Sequence, residues 1–134
     1  MSKENVESIK GIYAAFSTGD VAGVVGRMSS SIVWNEAQNV PYADGNLYVG
    51  PEAAANGVFA RCIGEWNRFT VAIDEILDAG DAVISFGRHL GTFKATGKAM
   101  RTQLVHAWRV VDGKAVRSQQ YADTLQLARV TGHA

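Results

Sequence analysis

Four runs of alternating apolar and polar residues in the second half of the chain constrain its fold more than any other feature. Each run is long enough for a strand, and glycine-containing turns separate the runs. The predicted strands are Asn67–Asp78, Ala82–Ala95, Ala99–Val111 and Lys114–Ala122. Asp112-Gly113, between the last two runs, is a strong hairpin signal because both residue types adopt the left-handed conformation readily. Successive hairpins of this kind predict an antiparallel sheet.

The first half of the chain has mostly helical periodicity. A first predicted helix ends at Gly19 and carries apolar residues at helical spacing: Val6, Ile9, Tyr13 and Phe16. Asp20 is a suitable cap for a second helix through about Met28, although its glycines weaken helix propensity by about 1 kcal/mol each. Pro51 is expected to open a third helix that runs to about Gly64.

One further strand and a long loop lie between the second and third helices. Ser31–Glu36 alternates, which places Trp34 and Glu36 on the same face of a short strand. The loop Ala37–Gly50 follows directly. A loop of this length in a compact domain is typical of a lid or a binding segment.

The order of these elements predicts an α+β fold with the helices on one face of the sheet. Asp123 is expected to cap a closing helix through about Val130. The segment Leu104–Trp108 is apolar on both sides of its strand, so the face that carries Val105 and Ala107 needs a cover. A second copy of the chain is the simplest cover, and we therefore predict a homodimer through the sheet face.

The length and composition of the chain exclude several classes of protein. The 134 residues are about the length of one domain, so we predict a single domain over residues 1–134. Zero formal net charge argues against a nucleic-acid partner, and no apolar run is long enough for a membrane span. The polar start carries no export signal, which predicts a cytoplasmic protein. Cys62 is the only cysteine, which excludes an internal disulfide.

His106 is a polar residue in a strand that otherwise reads as buried. It alternates with Leu104 and Trp108, so its ring should share their face. An unpaired polar group removed from water costs about 1 to 3 kcal/mol, so this histidine needs an internal partner or a ligand. It is either a satisfied core residue or a donor in a pocket. No metal site is predicted, because His89 and His133 have no ligand spacing to it.

Several motifs together resemble one known family. They are Trp34, Tyr48-Val49-Gly50-Pro51-Glu52-Ala53, Gly80-Asp81, His106-Ala107-Trp108-Arg109, Gly113-Lys114 and Tyr121-Ala122-Asp123-Thr124. In their order along the chain they are similar to the SnoaL-like branch of the nuclear-transport-factor-2-like (NTF2-like) superfamily. The resemblance implies a cone of curved antiparallel sheet packed on three N-terminal helices around a deep pocket. Its members include ketosteroid isomerases, polyketide cyclases, limonene epoxide hydrolases and proteins that only bind, so the fold alone does not fix the reaction.

The resemblance places suitable residues at some of the catalytic positions of the family and unsuitable ones at others. Glu36 stands where steroid isomerases place their general base, and His106 where they keep a protonated acid that binds the oxyanion. Their oxyanion tyrosine matches Ile12, next to Tyr13. In polyketide cyclases the strand histidine matches His106 and the base on the last strand matches Gln120. Epoxide hydrolases keep a carboxylate at that last position, and a neutral amide cannot take a proton.

Glu36 and His106 are therefore the candidate catalytic residues. A carboxyl in an apolar pocket has a raised pKa and can accept a proton near neutral pH, whereas a strand-end glutamate can equally be solvated or cap the backbone. Asp123 is explained by capping, and Arg88 is expected at the surface. The candidate substrate-binding residues are Tyr13, Trp34, Tyr42, Tyr48, Phe59, Trp108 and Gln120, which suit a small hydrophobic or cyclic organic ligand.

These observations leave three hypotheses for function. The first is an isomerase or cyclase in which Glu36 moves a proton next to a carbonyl and His106 hydrogen-bonds the developing oxyanion, with no cofactor. The second is a non-catalytic module that binds a hydrophobic metabolite. The third, epoxide hydrolysis, needs a water-activating carboxylate that the last strand does not supply.

Overall fold

The computed structural model describes residues 2–133, with Ser2 described by its backbone alone. Its helices are α1 (Ser2–Ser17), α2 (Val21–Val25), a 3-10 helix (Pro41–Gly45), α3 (Pro51–Ala54), a π-helical segment (Ala55–Phe59), α4 (Ala60–Glu65) and α5 (Thr124–Val130). Its strands are β1 (Met28–Asn35), β2 (Tyr48–Val49), β3 (Trp66–Asp78), β4 (Ala82–Phe93), β5 (Ala99–Val111) and β6 (Lys114–Ala122). No helix in the described range is long and apolar enough to cross a membrane.

The six strands form one curved sheet in the order β2-β1-β6-β5-β4-β3. The meander from β3 to β6 is antiparallel, as the glycine turns predict. The sheet as a whole is mixed, however, because β1 lies parallel to β6, with Trp34 opposite Ser118. The expectation of a purely antiparallel sheet is corrected at this edge. β1 has no hairpin connection to β6, so no turn forces the antiparallel direction on that pair.

The element bounds differ from the predicted ones where local signals compete. β5 and β6 have the predicted bounds, and Asp123 caps α5 by accepting a hydrogen bond from the Gln126 backbone N–H at 3.2 Å. Helix α2 stops at Val25, three residues early, because Gly26 and the first residues of β1 follow it. The predicted third helix is interrupted by the π-helical segment. The predicted loop Ala37–Gly50 contains the 3-10 helix and β2, which pairs with β1.

The curvature of the sheet depends on a close approach between β3 and β4. The register between these strands shifts twice, between Asn67 and Thr70 and between Ile73 and Glu75. Gly87 lies opposite the second shift, and a Cβ atom at this position would overlap the Ala72 carbonyl oxygen. The missing side chain therefore permits the approach that a bulged, bent strand pair requires.

Replacing Gly87 with alanine should reduce the free energy of unfolding by about 1 to 3 kcal/mol, because the new methyl group meets backbone that cannot rotate away. Gly64→Ala in α4 is the matched control, since a Cβ there meets nothing within 4 Å. That control should be neutral or stabilising by up to about 1 kcal/mol. Urea denaturation followed by circular dichroism measures both, and equal stability of the two variants would contradict this account of the bend.

Candidate functional site

An apolar cavity lies between the helices and the inner face of the sheet. The empty space between its walls is about 710 Å³ when open solvent is included, and about 60 Å³ of it can hold the centre of a water molecule. Eight of the lining residues are aromatic: Tyr13, Phe16, Trp34, Tyr42, Phe59, Trp66, Phe69 and Trp108. Four other lining residues carry strongly polar groups: Glu36, His89, His106 and Gln120. This combination of apolar wall and a few polar groups is typical of a site for a small organic molecule.

Glu36 is the one carboxyl among the described lining residues, and it is only 3% exposed. It directly follows β1, and the alternation of that strand brings it to the same side as Trp34. The Trp34 indole Nε1–H donates a hydrogen bond to Glu36 Oε2 at 2.9 Å. No partner for Glu36 Oε1 is found within residues 2–133, so one carboxyl oxygen remains available to a ligand.

The backbone of Glu36 is held by the loop that follows it. Asn46 Oδ1 accepts a hydrogen bond from the Glu36 backbone N–H at 3.0 Å, and Asn46 Nδ2 donates to the Glu36 carbonyl oxygen at 2.9 Å. Burial raises the pKa of Glu36 to about 7, although the Trp34 hydrogen bond and the charge of Arg61 oppose this shift. Glu36 therefore changes protonation state near neutral pH, as a general acid or base requires.

His106 lies in a hydrogen-bond network that uses both of its ring nitrogens. The Tyr13 hydroxyl is 2.6 Å from His106 Nδ1, and Gln120 Oε1 is 3.0 Å from His106 Nε2. Trp108 Nε1 donates to the Tyr13 hydroxyl at 3.1 Å. Burial lowers the pKa of His106 to about 4, so the ring is neutral at physiological pH. The ring is therefore internally paired, as expected of a satisfied core histidine, and it also lines the cavity.

His89 also lines the cavity, which the sequence reasoning missed. Its ring centroid is 6.1 Å from that of His106, and its Nδ1 is 3.5 Å from Thr102 Oγ1. Burial lowers the pKa of His89 to about 3, so this ring is neutral as well. The signal lay in the register of the β4–β5 hairpin, which pairs His89 with Thr102 and places it on the face of His106. Arg88, its neighbour, lies on the opposite, outer face.

Tyr42 and Tyr48, both predicted to bind ligand, have different positions. Tyr42 lines the cavity, where its hydroxyl donates to Glu65 at 2.7 Å and accepts from Trp66 Nε1 at 2.8 Å. Tyr48 does not line it. The Tyr48 ring packs behind the 3-10 helix, and its hydroxyl donates to the Tyr42 carbonyl oxygen at 2.6 Å. Two loop tyrosines look alike in the sequence, and only the fold of the loop separates their roles.

The remaining predicted residues converge on the cavity. Trp34, Phe59, Trp108, Tyr13 and Gln120 all contribute to its wall, together with Glu36 and His106. No group of three or more His, Cys, Asp or Glu side chains within the described part of the chain is arranged to hold a metal ion.

The family profile for a SnoaL-like domain matches residues 9–118. This protein belongs to the SnoaL-like domain family. Solved structures agree: an NTF2-like protein from Burkholderia thailandensis is 35% identical, with a TM-score of 0.87 over 92% of this chain and 94% of that one. The predicted α+β, NTF2-like fold is thus confirmed. A search of curated proteins finds no significant match to this sequence.

Two other similar structures carry more specific names. TerC, crystallised with polyporic acid, is 25% identical to this SnoaL-like protein, with a TM-score of 0.85 over 96% of this chain and 98% of TerC. IdmH from Streptomyces antibioticus, a candidate polyketide cyclase, is 20% identical, with a TM-score of 0.78 over 96% and 98% of the two chains. At 20% identity the second similarity shows the fold alone.

The raised pKa of Glu36 predicts how the stability of this SnoaL-like protein varies with pH. Between pH 4.5 and about 7 the folded chain holds a proton that the unfolded chain has lost, so this residue makes stability fall as pH rises. Glu36→Gln removes the effect and still offers Trp34 an acceptor. The variant should match wild type near pH 4 and be more stable by on the order of 3 kcal/mol at pH 8.

Urea titrations at several pH values give these differences directly. The matched control is Glu52→Gln, on the exposed surface of α3. A stability gain from Glu36→Gln that is the same at pH 4 and pH 8 would show that the carboxyl is not held in a desolvated state.

Proposed function

We propose that this SnoaL-like protein moves a proton next to the carbonyl group of a small, cyclic, hydrophobic compound, as isomerases and cyclases do. The observation that carries the proposal is the buried Glu36 carboxyl, with its pKa near 7 and one free oxygen, in the wall of an aromatic cavity. Such a group is largely ionised just above neutral pH, yet it is basic enough to accept a proton from carbon.

In the proposed reaction the Glu36 carboxylate takes a proton from the carbon next to the carbonyl. The C–H electron pair forms a C=C bond to the carbonyl carbon, and the C=O π pair moves onto the oxygen, which gives an enolate. Glu36 returns the proton to the same carbon or to another one, so the protein ends unchanged. The hydrogen-bond network of Tyr13, His106 and Gln120 stabilises the oxyanion, and one well-placed donor can contribute roughly 3 to 4 kcal/mol.

The cavity wall supports a flat, neutral ring compound as the substrate. The edge-to-face pair of Trp34 and Trp108, with ring centroids 5.4 Å apart, and the adjacent Phe59 provide aromatic surface for it. The neutral state of both buried histidines leaves no permanent positive charge among the described lining residues to bind an anion. TerC, which was crystallised with polyporic acid, is consistent with a site for a small organic molecule.

A non-catalytic binding module is the second candidate. It is favoured by Gln120, because this neutral amide stands where the resemblance places the base of polyketide cyclases. An epoxide hydrolase is supported least, since β6 offers no carboxylate to the cavity to activate water.

Deuterium incorporation distinguishes the two main candidates. Wild-type protein in D₂O at pD 8 is incubated with the flat ketones 1-tetralone, 2-tetralone and 1-indanone, and exchange of the hydrogens next to the carbonyl is followed by proton NMR. We expect at least one ketone to exchange faster than in buffer alone. Glu36→Gln should lower that rate by 100-fold or more, as expected when the proton-transfer group is lost, on the order of 10²–10⁴.

Binding is measured in parallel by quenching of tryptophan fluorescence, since Trp34, Trp66 and Trp108 all line the cavity. Ketones that bind without catalysed exchange would support the binding module instead. If none of the three binds, the proposed ligand class is wrong. Glu52→Gln serves as the control and should exchange the ketones at the wild-type rate.

We also propose that a second copy of the protein covers the outer face of the sheet. The centre of this face is apolar and includes Phe86 and Val105, while its exposed residues include Tyr121 at 60% and Leu77 at 44%. Acidic Asp74 and basic Arg88 belong to the same surface, so a two-fold arrangement can pair opposite charges.

Substitution Val105→Lys should convert the dimer to a monomer, because it places a charge in the centre of the apolar face. Sedimentation velocity at micromolar protein measures the change. Ile63→Lys on α4, an exposed position on the helical side, should leave the dimer intact. A monomeric wild-type protein, or a Val105→Lys variant that remains dimeric, would contradict this interface.

A further inference from the structure

His106 has no free ring nitrogen with which to contact a ligand, although the resemblance places it as the oxyanion donor. Nδ1 faces the Tyr13 hydroxyl and Nε2 faces Gln120 Oε1. A ligand could reach this ring only by displacing one of two buried partners. The direct donor to the ligand is therefore the next group in the network, beyond His106.

The directions of the hydrogen bonds follow from groups that can act in only one way. The indole N–H of Trp108 can only donate, so it occupies the Tyr13 oxygen as an acceptor. Tyr13 stays protonated because burial raises its pKa to about 12, so its hydroxyl can donate to His106 Nδ1 at 2.6 Å. A neutral ring that accepts at Nδ1 carries its proton on Nε2, and this N–H must donate to Gln120 Oε1.

The position of the Gln120 amide oxygen agrees with this tautomer. Gln120 Oε1 lies 3.0 Å from His106 Nε2, and an amide oxygen can only accept, so the contact is a hydrogen bond only when Nε2 carries the proton. With the proton on Nδ1, two lone pairs would face each other at this distance. In the structure the Gln120 amide therefore holds its oxygen toward His106.

The fixed orientation leaves the amide nitrogen of Gln120 without a partner. Gln120 is 5% exposed and lines the cavity, and no group within residues 2–133 accepts a hydrogen bond from its Nε2. The enclosed side-chain atoms that lack a hydrogen bond are Asn5 Oδ1, Ser85 Oγ and Ser118 Oγ, and Gln120 Nε2 is not one of them. It therefore borders the cavity space as a donor of two N–H groups, and a buried donor without an acceptor is costly.

We propose that Gln120 Nε2 is the group that donates a hydrogen bond to the carbonyl oxygen of the ligand, and that His106 is the positioning residue that holds it. The inference rests on the proposed function, because it assigns the oxygen-binding side of the same site. The proposal also assigns a role to the neutral Gln120 amide on β6. Gln120 cannot act as a base there, but it selects ligands that carry an acceptor oxygen over those that carry only hydrocarbon.

A matched ligand pair tests this selection. The probes are 1-tetralone and tetralin, which differ by one carbonyl oxygen, and binding is followed by tryptophan fluorescence. Gln120→Leu and Gln120→Met both remove the N–H donor, and the second keeps the length of the side chain and leaves His106 a weak sulfur acceptor. Each should lower the preference for 1-tetralone over tetralin about fivefold, as expected for one neutral hydrogen bond. Gln38→Leu, at an exposed position, should retain the wild-type preference.

The carbonyl stretching frequency of bound 1-tetralone gives a readout that does not depend on activity. It should lie below its value in hydrocarbon solvent in wild type and return toward that value in both Gln120 variants. Long-range ¹⁵N NMR of wild-type protein should show the His106 proton on Nε2. A proton on Nδ1, an unshifted carbonyl band, or a wild type that binds tetralin as well as 1-tetralone would each overturn the inference.

These outcomes separate the inference from the proposed function. If wild type binds 1-tetralone with a shifted carbonyl band but catalyses no deuterium exchange, the inference stands and proton transfer fails. If Glu36-dependent exchange occurs while the Gln120 variants keep the shifted band, proton transfer stands and the inference fails. Should Gln120→Leu not fold, as judged by circular dichroism, the Gln120→Met variant and the wild-type tautomer still decide the question.

Discussion

The burial of a carboxyl group against an indole N–H is the interaction on which the candidate site depends. Removing a carboxylate from water is costly, and the single hydrogen bond from Trp34 to Glu36 at 2.9 Å offsets only part of that cost. The remainder raises the pKa of Glu36 to about 7. The fold thus carries a locally unfavourable group, which aromatic packing around it must offset. Groups of this kind are common at functional sites.

The polar groups around His106 are stabilised in a different way from Glu36. There a chain of hydrogen bonds runs from Trp108 through Tyr13 and His106 to the Gln120 amide oxygen, and only the Gln120 amide nitrogen is left without a partner among the described residues. These hydrogen bonds hold the side chains in place before any ligand arrives. The cavity therefore combines an incompletely paired acid with a chain of internally paired polar groups.

Much of the fold could be predicted because its signals are local. Helical spacing in the first half of the chain, period-two alternation in the second, and turn residues such as Asp112-Gly113 each act over a few positions. The same alternation predicted that Glu36 and His106 face the cavity, because it assigns a face of the sheet to every strand residue. His89 was missed because both faces of β4 contain apolar residues, and only its pairing with β5 shows which face is internal.

The sequence by itself determined the order of helices and strands, the α+β class and the side of the sheet on which the main polar residues lie, because these depend on periodicity within single elements. Tertiary structure decided the parallel pairing of β1 with β6, the separate positions of Tyr42 and Tyr48, and the partners of His106. These features join residues far apart in the chain, Tyr13 and His106 among them. Only the packing of whole elements against one another brings such groups within hydrogen-bond distance.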